Sequence, residues 1–259
     1  MELKNKKIIF AGCSFTYGHG LWHYSKVKDL PQDDTVIHYH EFPESLYFME
    51  NNRFAHLVSN HFGAKEVLKP TTSGCDEVSL NFVKELFGLR KPAEWTTERV
   101  NYDEVSHLIF QTSFLDRCGL FENGKRVQIV DFGSSDNPRL VENDLRLFWD
   151  KLKLFYYSEI QNLFEFLEEK RIKCYMIAMD EDYQDLIEKD ESMMRRYIKI
   201  NYDGKIFNTF RSLSEYNEKL IICNDTDFFD NPPKDLHPGL KWHSVVANSI
   251  IKKLESDLS

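Results

Sequence analysis

The chain has 259 residues, 42% hydrophobic and 14% aromatic, which is ample apolar material for a core and excludes a mostly disordered segment. Asp and Glu (42) outnumber Lys and Arg (33), and the resulting net charge of -9 disfavours bulk binding to nucleic acid or to an anionic membrane. Apolar runs are only a few residues long, far short of the roughly 20 that a membrane span needs, so no membrane partner is expected.

The N-terminal stretch MELKNKKIIFAGCSF is basic and then briefly apolar. Its apolar run is too short for a secretory leader and reads as a first strand, Lys7 to Ala11. A glycine-rich loop follows, Gly12-Cys13-Ser14-Phe15-Thr16-Tyr17-Gly18-His19-Gly20. Apolar residues at helical spacing predict helices over Arg53 to Phe62 and Asp76 to Leu89, with a short strand at Val67 and Leu68 between them. Val105 to Gln111 (VSHLIFQ) reads as a buried strand, and Asn143 to Lys170 as the longest helix. Lys173 to Met179 and Leu220 to Cys223 are two further strand candidates, and Leu240 to Leu258 is a closing helix. Within the long helix, Phe155-Tyr156-Tyr157 reads as packing on the sheet.

This alternation predicts one α/β domain over residues 1–259: a three-layer αβα sandwich around a central parallel, flavodoxin-like sheet. Sites in such sheets lie past the carboxyl ends of the strands. Two stretches break the rhythm, residues 21–52 and 181–216, and both read as insertions of the kind that form lids or substrate walls. The five cysteines (13, 75, 118, 174 and 223) are dispersed, with no C-x-x-C pair. They read as free thiols of a reducing, cytoplasmic compartment.

The loop after the first strand lacks the Gly-Lys-Ser/Thr ending of a P-loop, the G-x-G-x-x-G of a dinucleotide fold and the G-x-S-x-G of a nucleophile elbow. It does present Ser14 at a strand end beside glycines, where backbone N–H groups can face an oxyanion. Near the other end of the chain, Asp235-Leu236-His237-Pro238-Gly239 combines a base and a carboxylate in one short loop. His243 is a rival base, but its place in the closing helix suits packing or capping better. Asp225, Asp227 and Asp230 form an acidic loop that reads as solvated surface.

These two loops resemble the first and fifth blocks of the SGNH hydrolase superfamily, the GDSL-type esterases and lipases, of which the chain looks like a divergent member. The resemblance implies Ser14 as nucleophile, His237 as general base and Asp235 as its orienting carboxylate. The family's usual Asp-x-x-His spacing is shortened here to Asp-x-His. A second block, Thr72-Ser73-Gly74, would supply the Gly74 N–H to an oxyanion hole shared with the Ser14 N–H. The third block should fall over residues 110–117, where the family's asparagine is missing. Ser113, Thr112 or Gln111 would replace it, with Ser113 favoured over Thr112.

The resemblance implies a serine hydrolase, an esterase or deacylase without a cofactor, acting on an acyl ester of a carbohydrate or other small polar molecule. A non-catalytic binding protein and an acyltransferase on the same residues are the alternatives. Thr16, Trp22 and His23 would contact substrate, with His19 beside them in the pocket wall. No metal is expected: His38 and His40 form a His-x-His without further ligands at a recognisable spacing.

Overall fold

Ile8, Phe10, Ile9 and Ala11 are all fully buried, and they alternate between two separate apolar clusters. A strand with both faces covered requires this pattern, and it places β1 (Lys7–Ala11) inside a sandwich. The computed structural model describes residues 3–25, 43–68, 75–91, 99–113, 117–122, 125–131 and 142–257.

In chain order, β1 leads through α1 (Ser14–Tyr17) and a 3₁₀ turn (Leu21–Ser25) to α2 (Pro43–Asn52) and α3 (Phe54–His61). Next come β2 (Lys65–Leu68), α4 (Asp76–Leu86) and β3 (Val105–Gln111). An antiparallel pair follows, β4 (Arg117–Glu122) and β5 (Lys125–Asp131), then the long α5 (Glu142–Glu169) and β6 (Lys173–Ile177). After α6 (Gln184–Ile187) and α7 (Glu191–Arg196), a small hairpin of β7 (Ile200–Tyr202) and β8 (Lys205–Phe207) precedes α8 (Phe210–Tyr216). The described chain closes on α9 (Leu240–Ser256).

The main sheet has the order β2-β1-β3-β6 and all its pairings are parallel. On one face, Ile9, Leu108, Phe110 and Met176 pack under α4 and α5; on the other, Ile8, Phe10, Ile109 and Ile177 pack under α3 and α9. The architecture is the expected three-layer α/β sandwich. In the long helix Tyr156 and Tyr157 are buried as expected, whereas Phe155 is 56% exposed.

One expectation needs correction. Leu220 to Cys223 is not a strand of the sheet: it runs through two 3₁₀ turns, Glu218–Leu220 and Ile222–Asn224. Leu220 belongs to the cluster under α9, while Ile222 enters a separate one with Leu21, Trp22, Tyr24 and Met49. Two residues apart, Leu220 and Ile222 would share one face of a strand and so one core. Beyond β6 the sheet instead continues through single parallel bridges, Met176 with Tyr197 and Ala178 with Thr209.

Residues 181–216 contribute to the core. They bury Met193, Ile198, Ile200, Phe210 and Leu213 in the two helical layers. The described parts of residues 21–52 are helical and bury Leu21, Trp22, Tyr24 and Met49. The β4–β5 pair has no counterpart in the sequence reading.

Among the described residues, no helix is long and apolar enough to cross a membrane. Cys13, Cys75, Cys174 and Cys223 are free thiols.

Candidate active site

The site is built at the carboxyl end of β1. Gly12 ends the strand where the chain passes close to β3: a Cβ there would stand 2.8 Å from Gln111 Cβ. Cys13 is extended, and Ser14 opens the single turn of α1, half-exposed. Gln111, the last residue of β3, holds this loop from below. Its amide nitrogen donates to Cys13 Sγ (3.0 Å) and to the Thr112 carbonyl (3.0 Å), and its amide oxygen accepts from the Thr16 hydroxyl.

The partner loop comes from the other end of the sequence. Ile222 donates its N–H to the His237 carbonyl (3.0 Å), Cys223 to the Asp235 carbonyl (2.9 Å), and Gly239 to the Leu220 carbonyl (2.8 Å). The segment 220–223 therefore braces the loop 235–239 on its way into α9. His237 Nε2 stands 3.2 Å from Ser14 Oγ, and His237 Nδ1 stands 2.7 Å from Asp235 Oδ1. The same Oδ1 accepts the His237 main-chain N–H at 2.8 Å, an Asx turn that makes the short Asp-x-His spacing workable.

Asp235 is fully buried, and its second oxygen, Oδ2, lies 3.0 Å from His23 Nε2. Burial alone would push this carboxyl upward, but the hydrogen bonds from His23 and His237 outweigh it. They hold Asp235 well below the usual carboxylate range. His19 leans on the His237 ring with centroids 4.3 Å apart, and on Trp22 at the same separation. Burial, helped by the nearby His237, lowers His19 to about 3, so it is a neutral imidazole at neutral pH. Phe15 supports the base from another side, edge-on to His237 and stacked on Phe210.

The structure thus brings together Ser14, His237 and Asp235. It does not place the expected substrate contacts at the surface. Thr16 is 2% exposed and bonded to Gln111; Trp22 is 1% exposed in the core with Leu21, Met49 and Ile222; His23 is turned onto Asp235. All three support the site from behind: Gln111 holds Thr16, and the Leu21–Ser25 turn packs Trp22 and His23 inward.

Thr112 and Ser113 are buried at the end of β3. The Thr112 hydroxyl accepts from the Met179 N–H (3.2 Å), and the Ser113 N–H donates to Asp76 Oδ1 (2.6 Å). Gly74 lies outside the described residues, as do His38 and His40. No group of three or more metal-binding side chains occurs among the described residues.

His243 is buried and accepts the Phe54 N–H on Nδ1 (3.2 Å), which makes it a cap for α3, as its helical position implied. Asp225 takes the Tyr24 hydroxyl at 2.6 Å and Asp227 pairs with Lys219 at 2.7 Å, so neither approaches the role of Asp235. The contributions of Gln111 and His23 escape a sequence reading. A glutamine directly after the apolar run Leu108 to Phe110 was the available signal, since a buried amide must find partners.

No protein-family model matches the chain, and no curated protein matches it. Among solved structures, the chain is similar to an acetyl xylan esterase (Est2A) from the rumen bacterium Butyrivibrio proteoclasticus, with a TM-score of 0.51 and 13% identity. That likeness covers 100% of this chain and 65% of the esterase, so the chain spans just under two-thirds of its length. A second is a carbohydrate esterase described as having an active site with divergent catalytic and non-catalytic binding functions, with a TM-score of 0.47 and 12% identity over 97% of this chain and 69% of that one. The first likeness supports the three-layer fold.

Proposed function

We propose that residues 1–259 form one SGNH-hydrolase-like unit that hydrolyses an acyl ester of a carbohydrate or another small polar molecule, using a Ser14–His237–Asp235 triad. The observation that carries this reading is the unbroken line from Ser14 Oγ to His237 Nε2 (3.2 Å) and from His237 Nδ1 to Asp235 Oδ1 (2.7 Å). It has the form that nucleophilic acyl transfer needs: a weak hydroxyl, a base within reach and an acceptor that fixes the tautomer of the base.

In this reading His237 takes the Ser14 proton as Oγ attacks the ester carbonyl. The buried Asp235 charge then offsets the imidazolium, which returns the proton to the leaving alkoxide. Water resolves the acyl-enzyme by the same route in reverse, and no cofactor enters. The Ser14 N–H and Gly74 are the proposed main-chain oxyanion donors, with Ser113 as the side-chain donor. Ser113 is preferred to Thr112 because it lies one residue further past the end of β3. The carbohydrate preference draws on the esterase of similar fold.

One observation favours a non-catalytic reading. The block that should carry an asparagine amide holds Gln111 instead, and its amide nitrogen is already committed to Cys13 and Thr112. A fluorophosphonate probe tests both readings, alongside p-nitrophenyl and acetylated-sugar esters of graded chain length. The hydrolase reading expects covalent labelling and turnover that vanish in Ser14→Ala. A folded wild-type protein that neither labels nor turns over any ester is instead a binding module.

A further inference from the structure

We infer that His23 is a positioning residue for the proposed base, holding Asp235 in place through its second carboxylate oxygen and extending the line to Ser14–His237–Asp235–His23. The inference rests on the hydrolase reading of Ser14 and His237.

The short Asp-x-His spacing sets the problem. Both contacts from His237, main chain at 2.8 Å and ring at 2.7 Å, fall on Oδ1. Oδ2 is left facing the interior with the carboxylate 0% exposed. A buried carboxylate oxygen without a donor is costly, and the group would turn to find one. A carboxylate only accepts, so a proton on His23 Nε2 must supply the bond across 3.0 Å. Both side chains are shielded from water, 2% and 0% exposed, so the bond is neither screened nor exchanged for solvent.

His23 is itself held. Gly20, at φ +88, turns the chain directly over the carboxylate, where an added Cβ would stand 2.8 Å from Asp235 Oδ2. The His23 N–H returns to the Gly20 carbonyl at 3.1 Å, opening the turn Leu21–Ser25. The neighbouring Tyr24 hydroxyl anchors that turn to Asp225 at 2.6 Å. The turn therefore grips the segment that leads into α9 at two points, the Asp225 and Asp235 side chains. His23 acts through Asp235 on the angle at which the His237 ring meets Ser14. Its loss should lower kcat and leave KM nearly unchanged.

The test uses the full chain with His23→Leu, His23→Gln and His23→Asn. A glutamine amide can reach the position of Nε2, whereas asparagine is one methylene too short. Outer-shell hydrogen bonds of this kind commonly hold about 10–100-fold of activity. The expected result is a kcat for p-nitrophenyl acetate lowered by that factor in His23→Leu and His23→Asn, with KM within twofold, and largely restored in His23→Gln.

The low-field proton resonance of the His237 Nδ1–H bonded to Asp235 should follow the same order, and it needs no turnover. If Leu fails to fold, the Gln–Asn pair decides alone, since both are polar and of ordinary size. Equal kcat and an equal resonance in Gln and Asn overturn the inference. Should Ser14→Ala keep full turnover, the hydrolase reading fails instead, and the resonance still reports whether His23 positions Asp235.

Discussion

Asp235 holds His237 twice on one oxygen: Oδ1 accepts the main-chain N–H at 2.8 Å and the ring Nδ1–H at 2.7 Å. The main-chain bond fixes which way a replacement amide must face. In Asp235→Asn the side-chain oxygen stays towards His237, because the nitrogen cannot accept that N–H, and the NH₂ is turned onto His23.

Asp235→Asn should therefore keep the tautomer of His237 and lose mainly the charge that offsets the imidazolium. We expect kcat to fall by about 10²–10⁴ with KM little changed. Steady-state ester hydrolysis at pH 8 checks this. A fall of less than about threefold would remove Asp235 from the mechanism.

His237 and His243 should separate cleanly. His237→Ala takes away the proposed base, 16% exposed at the side chain, and should cost about 10⁴–10⁶ in kcat with a small change in melting temperature. His243→Ala opens a fully buried space beside Phe54 and Trp242 and removes the α3 cap, a loss of about 2–4 kcal/mol. Thermal unfolding and kinetics on both variants decide the assignment; the reverse pattern would exchange the two roles.

Gly20 sits at φ +88, and a Cβ there would stand 2.6 Å from Ile222 Cδ1 and 2.8 Å from Asp235 Oδ2. Gly20→Ala should lose about 1–3 kcal/mol from the left-handed backbone alone. It should also displace Asp235, so that activity falls further than stability explains. Denaturant unfolding measured beside kcat separates the two effects.

Acid should weaken this protein through its buried histidines. Burial lowers His107 to about 4 and His243 to about 3, against an ordinary value of 6.5. A histidine held low in the folded state is protonated first in the unfolded chain. Its contribution is intact above pH 6.5 and declines as pH falls from there towards about 4, by at most about 1.4 kcal/mol per pH unit per group. Neither ring nitrogen of His107 has a hydrogen-bond partner among the described residues, and the ring lies parallel to Tyr175 at 6.0 Å. His107→Phe keeps that stacking and removes the titration. Its melting temperature should depend less on pH between 7 and 5 than that of the wild type; an identical slope would show that His107 does not titrate there.

The sequence by itself determined the layers. Residues such as Ile8 to Ala11 and Leu108 to Phe110 are apolar without a break, which only a strand covered on both faces tolerates, and the helical stripes between them name the covers. It also singled out Ser14, Asp235 and His237, because a serine after the first strand and a carboxylate–histidine loop before the last helix are local patterns. Tertiary structure alone decided what surrounds them. Leu220 to Cys223 has the composition of a strand, yet Leu220 and Ile222 enter different clusters, and the Ile222 and Cys223 N–H groups serve the loop 235–239. His23 and Thr16 are polar residues near a site, which in one dimension read as contacts with substrate, and Gln111 as a stand-in oxyanion donor. Packing turns them inward, where buried polar atoms bond to one another: His23 on Asp235, Thr16 on Gln111. Those partners lie 212 and 95 residues apart, a distance over which local pattern carries no information and only the closed sheet brings them within reach.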